Sequence, residues 1–163
     1  MKYLFIFLMM LPNLVIAQEF KSIGNWTYSV QPYQNLCLLD GEGDGFSVTF
    51  AFEQTDNQGL GGFGVSFESQ KIIWERFSIE TTPSNKIIFD IIDDVYNNGL
   101  LTLRGDFSSP KDISVLDMMY SSDVVTVRVY DRGLTVSGDL DTSMFSQALK
   151  ATNKCLVQLD AAS

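Results

Sequence analysis

The chain has no histidine, two cysteines and four prolines in 163 residues, and its 11 lysines and arginines are outnumbered by 20 aspartates and glutamates. Each shortage excludes something. Without histidine there is no ordinary triad base, no imidazole metal ligand and no side chain that titrates near neutral pH unperturbed. A formal net charge of −9 argues against nucleic acid and anionic membrane surfaces, both of which require basic patches. It suits cations or a basic protein partner. No motif implies a cofactor.

Long apolar runs are confined to the start. "MKYLFIFLMMLPNLVIA" carries Lys2, then an uncharged stretch broken by Pro12 and ending on Ala17. That is the n-region, h-region and small-residue end of a secretory signal peptide. It falls short of the about 20 apolar residues of a membrane span. No cysteine follows to carry a lipid. The expectation is a signal peptide over residues 1–17 and a single exported domain over 18–163, periplasmic or secreted. No membrane insertion is expected once the leader is removed.

Cys37 and Cys155 both lie in the exported part. An isolated pair in an oxidising compartment predicts one disulfide, closing a loop over most of the domain.

What is abundant is alternation. In "FSVTFAF" Phe46, Val48, Phe50 and Phe52 share one face, and "GFGVSF" repeats the pattern with Phe63, Val65 and Phe67. "NWTYSV", "NLCLL", "KIIWERFSI", "KIIFDII", "GLLTLRGDF", "VVTVRVY" and "GLTVSGDL" bring the expected total to about eight or nine strands on short turns. Such spacing favours antiparallel pairing, because parallel strands need long crossovers. Two helices interrupt the series. "SSPKDISVLDMMY" starts with Ser109 as cap and Pro110 at the first turn, and offers an apolar stripe of Ile113, Leu116, Met119 and Tyr120. "DTSMFSQALKATNKCLVQL" places Cys155 on an apolar stripe with Met144, Phe145, Ala148, Leu149, Thr152, Leu156 and Leu159. The predicted fold is mainly β with two helices: an antiparallel β-sandwich or open barrel closed by a C-terminal helix.

Several motifs suggest chemistry. Asp40, Glu42, Asp44 and Gly45 occupy the first, third, fifth and sixth positions of a calcium loop, but the twelfth is Ala51, which has no side-chain oxygen. A two-loop calcium site would need "DIIDDVYNN", with Asp93, Asp94 and Asn97, as second donor. "GLGGFG" leads into a strand rather than a helix, so it reads as a turn and not a dinucleotide fingerprint. "LDTS", residues 140–143, has an aspartic-protease form, yet it immediately precedes a helix, where such residues cap. Ser108 and Lys111 have S-x-x-K spacing without the companion elements. "NWT", residues 25–27, has the form of a glycosylation sequon.

The layout of "GNWTYSV", an early cysteine, turn-linked strands, "SVLDMMYSSDVVTVRV" and "LTVSGDLDTSMFSQALKATNKC" resembles small exported proteins of the invasion-associated locus B type. Gly24–Trp26 and Gly138–Leu149 carry the resemblance. It implies a β-rich envelope or secreted accessory protein with no assigned reaction, and it carries over no catalytic residue.

The functional expectation is an exported, non-enzymatic accessory or binding protein of the bacterial envelope. It would engage a basic protein, as an inhibitor or immunity protein does. Asp40, Glu42, Asp44, Asp93 and Asp94 are the contact candidates. The competing expectations are a carboxylate-dependent glycan hydrolase and a calcium-dependent structural module, the latter using Asp40, Glu42 and Asp44.

Overall fold

The computed structural model describes residues 20–31, 35–53, 60–70, 73–82, 85–105 and 109–162. The expected leader, the turn at 54–59 and Ser108 lie outside these residues, as do the side chains of 109–113.

Among the described residues, ten strands and two helices follow in chain order. They are β1 (Phe20–Ile23), β2 (Trp26–Gln31), β3 (Leu36–Glu42), β4 (Phe46–Glu53), β5 (Leu60–Glu68), β6 (Arg76–Thr82), β7 (Asn85–Asn97), β8 (Leu100–Gly105), α1 (Ser109–Ser121), β9 (Val124–Asp131), β10 (Leu134–Asp141) and α2 (Phe145–Ala162). All strand pairs are antiparallel, in the order β1-β2-β3-β4-β5-β8-β7-β6-β9-β10. The sheet does not close. It is an open antiparallel sheet with a C-terminal helix, as the alternation and short turns predicted.

β7 joins two layers. Its first half, Asn85–Asp90, pairs with β6, and its second half, Ile91–Asn97, pairs with β8. A register shift between Ile91 and Asp93 leaves Ile92 as the extra residue, and such a bulge bends a strand. The layers then face one another: the Phe63 ring on β5 lies 5.8 Å from Phe77 on β6 and 5.5 Å from Phe89 on β7.

The core follows from period two. Phe46, Val48, Phe50 and Phe52 are all buried, as are Phe63, Val65 and Phe67 on β5 and Val125, Val127 and Val129 on β9. Each such side chain contributes about 1.5–3 kcal/mol by leaving water. The intervening residues build a polar outer face. One row of paired residues there runs Ser22, Thr27, Asp40, Thr49, Gly64, Arg104, Asp93 across seven strands.

α2 packs on β1, β2 and β3, and α1 packs on β6, β7, β9 and α2. The predicted stripe of α2 is buried through Phe145, Ala148, Leu149, Thr152, Cys155, Leu156 and Leu159. Cys37 and Cys155 are disulfide-bonded, with Cα atoms 6.2 Å apart across a sequence separation of 118. The bond staples α2 to β3. For α1 the expected stripe is displaced. Val115, Met118 and Met119 are buried, whereas Leu116 is half-buried and Tyr120 is about half exposed, its ring meeting Phe145 edge-on at 5.4 Å.

Strand limits also differ from the sequence reading. β6 begins only at Arg76, because Trp74 turns inward against Phe67, 5.5 Å between rings. β7 runs on past the expected "KIIFDII" strand to Asn97, so Asp93 and Asp94 lie in a ladder rather than in an acidic loop. The β-branched and apolar residues between its acids extend the ladder with β8.

Candidate functional site

The two segments carrying the resemblance meet at one corner. The Trp26 Nε1–H donates to the Asp141 carbonyl at 3.2 Å, and the Asn25 side-chain amide donates to the carbonyls of Asp141 and Glu42 at 3.0 and 2.8 Å. The Trp26 ring stands edge-on to Phe145 at 5.0 Å. It lies over Gly41, where a Cβ would collide with the indole. The Asn25 amide of the "NWT" sequon is thus engaged by two backbone acceptors. This corner is architecture, since its polar groups are spent on the chain itself.

The "LDTS" residues cap α2. Asp141 Oδ1 accepts the Ser143 N–H at 2.8 Å, and the Thr142 carbonyl accepts the Phe145 N–H at 3.0 Å. The Asp141 carboxyl is held below its ordinary pKa by the Ser143 hydroxyl, then by the Ser143 backbone N–H. That is capping, as the position before the helix predicted.

The five acidic candidates are dispersed. Asp40 lies half-buried on the outer face, where its Oδ1 accepts the Thr49 hydroxyl at 2.6 Å. Burial raises its pKa; the Thr49 hydrogen bond opposes this, and repulsion from Glu42 adds to it. Asp93 is paired with Arg104. Asp40 and Asp93 share a row but stand four strands apart, about 19 Å along the sheet at roughly 4.8 Å per strand. The structure therefore does not bring the two acidic segments together as one calcium site. Among the described residues, no group of three or more His, Cys, Asp or Glu side chains is placed to hold a metal.

Glu42 and Asp44, by contrast, edge a cleft of about 560 Å³ lined also by Ser47, Ser66, Phe67 and Glu68. The cleft sits where β10 crosses the β3–β4 turn. The Asp44 N–H donates to the Asp139 carbonyl at 2.8 Å, and a Cβ at Gly138 would collide with the Asp44 carbonyl. A second depression of about 690 Å³ adjoins it, sharing Glu68 and Leu100 and reaching Tyr96 and the β7–β8 turn. The combined groove presents three carboxylates, Glu42, Asp44 and Glu68, beside Phe67, Tyr96 and Leu100, and among the described residues no lysine or arginine lines either part.

Glu68 was missed as a candidate. The signal was present: pairing "FSVTFAF" with "GFGVSFE" so that Phe46 faces Phe67 puts Glu68 beside the 43–45 turn. Among the described residues no helix is long and apolar enough to cross a membrane. Compared with family models, curated proteins and solved structures, the chain matches none. Its own geometry carries the functional reading.

Proposed function

We propose that the chain is an exported binding module of the envelope that engages a basic segment of a protein partner. The observation that carries this reading is the groove in which Glu42, Asp44 and Glu68 gather beside Phe67, Tyr96 and Leu100, with no cation among its described lining residues. Carboxylates beside an apolar floor favour lysine or arginine stems, which lay their methylenes on apolar surface while the charged head reaches an acid. The overall charge of −9 would steer such a partner inward and make the encounter salt-dependent. The absence of histidine and the engagement of the Asp-Thr-Ser segment in capping support binding over catalysis.

The test compares wild type with a Glu42→Gln/Asp44→Asn/Glu68→Gln variant as baits for envelope extract at low and high salt. A basic protein retained by wild type at low salt, and lost both in the variant and at high salt, is the expected result. Identical captures by both baits overturn the reading. So does turnover of peptidoglycan or polysaccharide by the purified protein that disappears with Glu68→Gln while the fold is retained.

A further inference from the structure

Among the described residues, the second half of β7 has a strand partner on one side only. Residues 91–97 pair with β8 on one side, while β6 pairs only as far as the Arg76–Asp90 position. Beyond that point no described strand continues on the β6 side, because Trp74 draws the preceding chain inward against Phe67. The segment spans about 23 Å at roughly 3.3 Å per residue. Residues 92–97 are all exposed, with Ile92 at 68 %, Val95 at 52 % and Tyr96 at 44 %.

An edge of this length with apolar side chains is a template for another strand. Its acids decide which strand. Asp93 and Val95 stand in rows with Arg104 and Thr102, and Asp94 and Tyr96 in rows with Leu103 and Leu101. The Asp94 carboxylate projects on one side of the strand, while Asp93, on the other, is paired with Arg104. In a symmetric antiparallel pairing of two copies over 91–97, Asp94 would oppose Asp94 and Asp93 would oppose Val95. Like charges directly opposite destabilise a ladder. A strand with lysines or arginines between apolar residues meets the same edge favourably.

We infer that the 91–97 edge of β7 accepts an extended, basic and apolar segment of a partner protein as an added antiparallel or parallel strand. The backbone supplies the hydrogen bonds, while Asp94, Val95 and Tyr96 select the sequence. This deepens the partner-binding reading and rests on it for the partner's basic character, but it uses different residues from the groove carboxylates.

The test uses the mature protein and the peptide acetyl-Lys-Val-Lys-Val-Lys-Val-Lys-amide. Two control peptides accompany it, one with glutamate in place of lysine and one N-methylated throughout. Binding of the lysine peptide should protect the amides of 91–97 from hydrogen exchange. N-methylation should weaken it by at least about tenfold through loss of the ladder donors. The glutamate peptide should fail to bind, and Asp94→Asn should weaken the lysine peptide. Glu42→Gln/Asp44→Asn/Glu68→Gln should leave the 91–97 protection in place. Equal affinity for the N-methylated peptide, protection elsewhere, or no binding of the lysine peptide overturns the inference. If that happens while groove-dependent capture of a basic protein persists, the groove reading stands and only the strand-addition mode falls.

Discussion

Two ends of the same sheet treat similar residues in opposite ways. At the β2–β3–α2 corner Trp26, Cys37, Phe145 and Cys155 are fully buried, and the corner's side-chain amides are bonded to backbone carbonyls. At the β7–β8 hairpin, Ile92, Val95, Tyr96 and Leu100 stand in solvent among Asp93 and Asp94. Both segments alternate apolar and polar residues. The difference is cover: α2 is stapled over one, while the facing layer ends before the other. Stability is concentrated where a second layer exists, and apolar side chains are left exposed where it stops.

The largest expected effect tests the staple. Replacing Cys37 and Cys155 together by alanine, or reducing the bond, should lower stability by about 4–5 kcal/mol on the chain-entropy account of so long a loop. Urea titration of oxidised and reduced protein would measure it. A change under about 1 kcal/mol would mean the corner holds itself without the bond.

Next, Trp26→Ala should cost about 3–5 kcal/mol, since it empties a fully buried site and leaves the space above Gly41 unfilled. Tyr96→Ala and Leu100→Ala, half-exposed at the opposite end, should each stay within about 0.5 kcal/mol. They should instead weaken partner binding. Thermal melts of the three variants check the contrast directly. Hairpin variants that unfold the protein would break it.

How much of this was legible beforehand depends on what each feature requires. Alternation in "FSVTFAF" and "VVTVRVY" identified the inward faces because a half-buried strand has no other way to satisfy period two. The 3.6-residue stripe of α2 and the lone cysteine pair predicted the staple. The acidic candidates were harder. Whether Asp93 belongs to a loop or a ladder depends on its pairing with Arg104, and acids are poor strand formers by propensity. Here tertiary pairing overrode propensity. Glu68 needed the β4–β5 register before its place in the groove could be seen. The meeting of Asn25 and Trp26 with Asp141 joins segments more than a hundred residues apart, which no local pattern encodes.

The smallest effect concerns Asp40, on the outer face of β3 at the corner end of the row that finishes at Asp93. Burial is the main reason its carboxyl titrates above the ordinary range, with Thr49 donating to it and Glu42 repelling it. A carboxyl whose pKa rises on folding favours the folded state when protonated. Its contribution is therefore fully present below the unfolded pKa and is lost as pH rises through the folded one. At neutral pH the ionised group is a small liability. Asp40→Asn keeps an acceptor for the Thr49 hydroxyl and removes the charge, so it should raise the melting temperature at pH 7 by about 1–2 °C. In acid, where the wild-type carboxyl is already neutral, the two proteins should melt together. A lower melting temperature for the variant at pH 7 would mean that the Thr49 bond to a charged acceptor outweighs burial, and that Asp40 belongs with the stabilising corner rather than with the exposed acids.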